Sequence, residues 1–225
     1  MSSALKPSGE LEGRVTVGAS ALLLETRVGS LVQDCRHRYP KVQVSPRQLV
    51  ISNAARAVQA HEVDLALVHG DFAGGARELP GRLVVEELPD LEVVPVGSVE
   101  LARDPDRTRA FSQVRVLAVD PDCSSHRVMV TALREIHGIE PQVIEAGSVG
   151  GARELARVGY GIAMLPAESV RVEGEGSGLA VLPGLPRVRL GVRALWAGRE
   201  LASAPVSAFR EVAVRAGRQR EAQPA

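Results

Sequence analysis

Small polar residues recur where this sequence passes from an apolar run into a helical pattern: Ser20, Ser52 or Asn53, Ser125 and Ser148. At such a turn a hydroxyl or amide oxygen can satisfy the unpaired first-turn amides as an N-cap. It can also hold a ligand beside those amides, which carry partial positive charge. The two roles are compatible, and residue type leaves both open at each position. Covalent and metal chemistry find less support. The five histidines, His37, His61, His69, His126 and His137, form neither a helical pair around a glutamate nor a Cys/His cluster, so surface or capping roles are expected and no metal. No G-x-S-x-G elbow occurs. Glu145 is the one acid/base candidate for an enzyme, and a strand-end carboxylate is more often structural. The glycines of GSVGG, Gly147 to Gly151, match neither the dinucleotide fingerprint nor the P-loop, and no cofactor is expected. Cys35 and Cys123 fit no metal spacing and read as free thiols of a reducing cytosol, with a redox switch the lesser alternative.

The elements that must position these residues alternate. Residues 14–18 (RVTVG) predict a strand, followed by a helix over residues 20–38 whose Leu24, Val28, Leu31, Val32 and Cys35 share one stripe. Tyr39-Pro40 stops it. A strand at 42–44, a helix capped by Ser52 or Asn53 and running to about residue 62, and a strand at 64–68 complete a β-α-β-α-β run. Two further strands are expected at 83–88 and 91–96, and then a charged loop over 100–113. The pattern restarts with a strand at 114–119 and a helix at 125–137, with Val128, Met129, Ala132, Leu133 and Ile136 on its apolar face. Next come a strand at 142–145, a helix at 148–158, a strand at 161–165, a loop at 173–178 (EGEGSG), and turns at Pro183 and Pro186. A long strand at 188–196 crosses back, and a last helix spans 204–217.

Strands alternating with helices at this spacing predict an α/β fold with mostly parallel sheets. A chain of 225 residues suits two lobes of about 100 residues better than one core. The expected organisation is a leader or linker remnant at 1–12, lobe I at 13–97 plus 189–217, lobe II at 98–188, and a polar tail at 218–225. In open α/β sheets ligands bind beyond the carboxyl ends of the strands, so the serine-bearing ends of both lobes are expected to face one cleft.

Composition removes several classes. With 45% hydrophobic and 24% charged residues the chain can bury a core, while 3% aromatic content leaves little for base stacking or a carbohydrate groove. The 27 basic and 27 acidic residues cancel, and no basic block gives a nucleic-acid footprint, so this chain alone is not expected to bind DNA. No stretch approaches the roughly 18 apolar residues of a membrane span, and the start lacks a signal-peptide core. A soluble cytoplasmic protein is expected.

The order of motifs resembles the effector-binding (substrate-binding) domain of LysR-type transcriptional regulators from Gly13 to about Phe209. The strongest stretch is EAGSVGGARELARVGYGIAMLPAESV, Glu145 to Val170, similar to the family's strand, serine turn, helix and V-x-x-G-x-G-I-x-x-L-P run. GRVTVGAS, HRYPKVQV and EVDLALV resemble the opening of its first lobe, and WAG followed by APVSAF its closing strand and last helix. Two places depart: His61 stands where the family usually has Gly before its L-D pair, and the charged stretch 100–109 replaces a His-Pro-Leu segment. The family's winged helix-turn-helix and linker helix are also missing, which implies an excised domain or a stand-alone relative.

The resemblance implies two Rossmann-like lobes joined by two crossing strands, a periplasmic-binding-protein-like (type 2) fold. It implies contacts to a small-molecule effector, a small polar or anionic metabolite, from Ser20, Ser52 with Asn53, Ser125, and Ser148 with Val149, and Pro166 shaping the cleft wall. It further implies a homodimer or higher homo-oligomer, with helix 20–38 of one subunit antiparallel to helix 125–137 of the other. The alternatives are a transport-type solute-binding protein, which must be exported, and an enzyme on the same fold.

Overall fold

The computed structural model describes residues 11–70, 83–119, 124–171, 178–198 and 203–221. The chain divides into two compact units, Met1–Pro89 with Gly191–Ala225, and Asp90–Leu190. The first division falls between Pro89 and Asp90, inside a strand, whereas the sequence reading puts its boundary near Gly97.

In the first unit β1 (Glu12–Ala19) leads into α1 (Ala21–Leu23), a π turn (Leu24–Val28) and α2 (Gly29–Arg38) without a break. Val28, Leu31 and Cys35 are buried on the expected stripe, while Leu24 and Val32 are half-buried. The helix ends as Tyr39-Pro40 demands: Tyr39 leaves helical geometry at φ −132, ψ 72. Its hydroxyl and the Arg38 guanidinium both reach Glu211, at 3.1 and 2.7 Å. Glu211 lies on α9 (Ala204–Glu221), so this junction ties the end of α2 to α9.

β2 (Lys41–Gln48) pairs parallel to β1 along its whole length and forms the sheet edge, where Pro46 is tolerated because an edge strand can spare a donor. A 3₁₀ turn (Ile51–Asn53) and α3 (Ala54–Gln59) lead to β3 (Leu65–His69), parallel to β1 and antiparallel to β9 (Val188–Ala197). Every residue of β3 is buried, as in a central strand covered on both faces. One face is closed by α3, whose Ala54, Ala57 and Val58 pack with Ile51, Val63, Ala66, Val68 and Leu195. Buried Val206, Phe209, Val212 and Ala213 of α9 belong to the same unit, and α9 packs against α2 and β1. Gly13 permits this: a Cβ there would come within 2.7 Å of Pro205.

In the second unit the strand order is β4-β7-β5-β6, with β8 also on β4. β4 runs unbroken over Leu83–Ser98, which corrects the two separate strands expected around Pro89-Asp90; proline stays compatible with extended backbone where its missing N–H is not needed. The charged stretch read as a loop contains two short helices, α4 (Val99–Arg103) and α5 (Arg107–Phe111). Ser98 and Asp106 cap them, accepting from the amides of Leu101 and Arg109 at 3.2 and 3.0 Å. Fully buried Phe111 anchors the segment, edge-on to His137 with ring centroids 5.1 Å apart. Burial of one such ring stabilises by roughly 1.5 to 3 kcal/mol, enough to order a short helical segment despite its charges.

β5 (Arg115–Ala118) is flanked by parallel β6 (Gln142–Glu145) and β7 (Gly161–Pro166). α6 (Ser124–His137) buries Met129, Ala132 and Leu133 as expected, but Ile136 is 57% exposed, because the buried stripe does not extend into the last turn. α7 (Val149–Arg157) buries Val149, Ala152 and Ala156. α8 (Ala167–Arg171) and β8 (Leu179–Val181) were not foreseen; β8 pairs antiparallel to β4 through only three residues. Residues 173–177 of the expected EGEGSG loop, and Cys123, lie outside the described residues.

Candidate functional site

Within each unit the parallel strands bring their carboxyl ends together. In the first unit Ala19 is in register with Gln48 of β2 and Leu67 of β3. Ser20 therefore follows β1 beside the end of β3, and the Leu49 amide donates to the Ala19 carbonyl at 2.8 Å. Ser20 holds the N-cap position at φ −61, ψ 155, its amide donating to the Leu67 carbonyl at 3.2 Å and its carbonyl accepting from the Leu24 amide at 2.8 Å. The expected cap is not made: its side chain makes no cap hydrogen bond, and its Oγ instead lies 2.8 Å from Nδ1 of His69. Ser20 and His69 are 1% and 2% exposed. Burial disfavours the imidazolium and lowers the His69 pKa from 6.5 to about 4, so the ring is neutral at physiological pH.

His69 is a buried polar partner of Ser20 that sequence reasoning missed, and the surface or capping role given to it is corrected. The available signal was its place at the end of LALVH, an otherwise apolar central strand ending on the same sheet edge as Ser20. The cap expected from Ser52 or Asn53 is also corrected. Asn53 precedes α3 without a side-chain cap bond, Ser52 lies inside the 3₁₀ turn, and both are exposed. A 3₁₀ entry supplies its own backbone bonds, such as Asn53 N–H to the Val50 carbonyl at 3.0 Å, which reduces the need for a cap.

In the second unit Ala118 and Glu145 are in register at the ends of β5 and β6, and the Ala146 amide donates to the Ala118 carbonyl at 2.8 Å. The helices bearing Ser125 and Ser148 thus leave from neighbouring strand ends. Ser125 is buried in the first turn of α6, one residue inside its start. Ser148 is a true N-cap, its Oγ accepting from the Gly151 amide at 2.9 Å, with Val149 buried behind it. Gly147 turns the chain at φ +72 ahead of it, and Gly151 has no room for a side chain, since a Cβ would meet the Ala146 carbonyl oxygen at 2.7 Å. Pro166 ends β7 on the same edge; it is buried, opposite Val93 of β4, and its carbonyl accepts from the Ser169 hydroxyl at 2.7 Å. Glu145 is exposed.

Among the described residues no group of three His, Cys, Asp or Glu side chains is placed to hold a metal ion. None of the described helices is long and apolar enough to cross a membrane. Cys35 is a buried free thiol whose pKa burial raises, which keeps it protonated and unreactive.

The sequence matches the LysR substrate binding domain family over residues 8–218. The chain belongs to that family, with its type 2 periplasmic-binding-protein-like fold. The fold is shared with ArgP from Mycobacterium tuberculosis, at TM-score 0.72 and 15% identity over 92% of this chain and 68% of that one. It is shared with the effector binding domain of QuiR in complex with shikimate, at 0.69 and 17% over 93% and 99%. It is shared too with the bromide-bound regulatory domain of HypT from Salmonella typhimurium, at 0.70 and 14% over 90% and 94%. No curated protein matches the sequence.

Proposed function

We propose that this effector-binding domain senses a small polar or anionic metabolite through Ser20, Ser52, Asn53, Ser125, Ser148, Val149 and Pro166. The observation that carries the reading is the gathering of hydroxyl-bearing helix starts on the carboxyl edge of each unit's parallel strands, where such sheets receive ligands. The shikimate and bromide in the QuiR and HypT structures support an anionic class. Effector binding would shift the populations of regulatory states in a bacterial, cytoplasmic regulator acting as a homodimer or higher oligomer. This chain by itself would not hold operator DNA.

A thermal-shift screen of small carboxylates tests it. A ligand at about 100 times its dissociation constant stabilises the folded state by roughly 2.7 kcal/mol. Ser148→Ala then costs on the order of 1 to 3 kcal/mol of affinity, because it removes the hydrogen bond to the bound ligand. If affinity for a verified ligand is unchanged in Ser148→Ala, Ser148 is a cap alone. Self-association is read by sedimentation: a chain still monomeric at about 100 μM would contradict a standard-sized subunit interface.

A further inference from the structure

Ala66 and Val68 of β3 pack into the cluster under α3, so Leu67 between them points to the other face of the sheet. On that face the first unit holds a cavity of about 380 Å³, counted with the solvent at its open side. Leu67 and Val192 of β9 line it together with Leu23 of the leading helix, Pro89 of β4 and Ala216 of α9. Among the described residues of this lining Arg27 alone is charged. It stands on the π turn Leu24–Val28, around which the hydroxyls of Thr26 and Ser30 donate to the carbonyls of Leu22 and Arg27 at 2.6 and 2.9 Å. Its Nε is removed from solvent, and beside apolar walls a guanidinium attracts an anion more strongly than it does in water. Its planar fork of five N–H donors can hold a carboxylate as well as a neighbour in the chain. The space threads narrowly between side chains and suits a flexible chain better than a ring.

We propose that this cavity is a second ligand site, wholly within the first unit, for a short-chain aliphatic monocarboxylate whose head group lies on the Arg27 fork and whose chain enters between the sheet and α9. It shares no residue with the carboxyl-edge site proposed above and does not depend on it. Each methylene that enters strengthens binding about fourfold, the factor that burial of one CH₂ gives, until the cavity is full.

Butyrate, hexanoate and 1-hexanol are the probes, titrated into the full chain carrying ¹³C-labelled Leu and Val methyl groups. Hexanoate should saturate with a Kd below about 10 mM and show nuclear Overhauser contacts to the methyls of Leu23, Leu67 and Val192. It should bind more tightly than butyrate, and about tenfold more tightly than 1-hexanol, which has the chain without the charge. Arg27→Gln should bring hexanoate down to the level of 1-hexanol and leave 1-hexanol unchanged. Ala216→Leu, which fills the cavity from α9, should weaken both, and Ser148→Ala should alter neither. The proposal is overturned if hexanoate does not saturate, if it binds no better than 1-hexanol, or if its affinity survives Arg27→Gln and Ala216→Leu. Weakening by Ser148→Ala would place the anion at the carboxyl edge and overturn it equally. Should a variant fail to fold, the wild-type contacts decide: hexanoate against Val149 rather than Leu23, Leu67 and Val192 is the overturning result.

Discussion

At the head of the first unit's leading helix Ser20 is held by the His69 ring, while at the head of α7 in the second unit Ser148 accepts from the Gly151 amide. Both serines follow a strand of a parallel sheet, and both stand at an N-cap. What differs is the neighbouring strand end. Beside β1 the central strand β3 ends in an imidazole, whereas beside β6 the strand β5 ends in Ala118, which offers no polar side chain. Ser20 lies against a ring across the sheet and makes no cap bond, whereas Ser148 caps its own helix. The second unit's turn is set by local backbone, and the first unit's by a contact across the sheet.

The largest expected consequence of this difference is acid sensitivity confined to the first unit's pair. Burial lowers the His69 pKa from 6.5 to about 4, so between these values the unfolded chain binds the proton and the folded chain does not. Stability is then complete above about pH 6.5 and falls as the pH drops toward 4. At about 1.36 kcal/mol per pKa unit the loss approaches about 3 kcal/mol. Urea unfolding at pH 7 and pH 4 should show wild type losing more than His69→Asn, which has no titrating ring. Equal losses would mean that burial of the ring does not govern its protonation.

The next two effects set the serines directly against each other. Ser20→Ala removes the oxygen partner of a buried ring nitrogen and should destabilise by about 1 to 3 kcal/mol. Ser148→Ala removes a cap on a partly exposed turn, and about 1 kcal/mol is expected. Chemical denaturation of the two variants at pH 7 measures both. If Ser148→Ala proves the costlier, the contrast between a cross-sheet pair and a local cap fails.

The second unit's serine turn was legible in the sequence because each of its determinants is local: a strand, Gly147 to reverse the chain, Ser148 to cap, then Val149, Ala152 and Ala156 at helical spacing. The alternating order of strands and helices was legible for the same reason. His69 was not, because its burial depends on β1 and β9 closing on both sides of β3, a relation no window of sequence contains. The charged stretch over 100–113 misled in the opposite sense: its composition reads as loop, and the anchoring of Phe111 against His137 that turns it helical is tertiary. Ile136 shows the converse limit, since periodicity places it on the apolar face of α6 but cannot tell where the surface covering that face ends.

The smallest effects lie in the backbone turns that lead to each site. The second unit places glycine at its left-handed position, Gly147 at φ +72, whereas the turn that leads into β3 places His61 at φ 54, where the resemblance expects Gly. A side chain in that conformation costs about 1 to 2 kcal/mol, and glycine there gives back roughly 0.5 to 1 kcal/mol through the greater freedom of the unfolded chain. His61→Gly should therefore stabilise the chain slightly, by about 0.5 kcal/mol, while Gly147→Ala should destabilise it by about 1 kcal/mol. Thermal unfolding of both variants at pH 7, above the His69 window, separates this backbone term from the imidazole effect. A loss of stability in His61→Gly would mean that the His61 side chain itself supports the entry to β3, and the first unit would then depend on side-chain contacts at both ends of that strand.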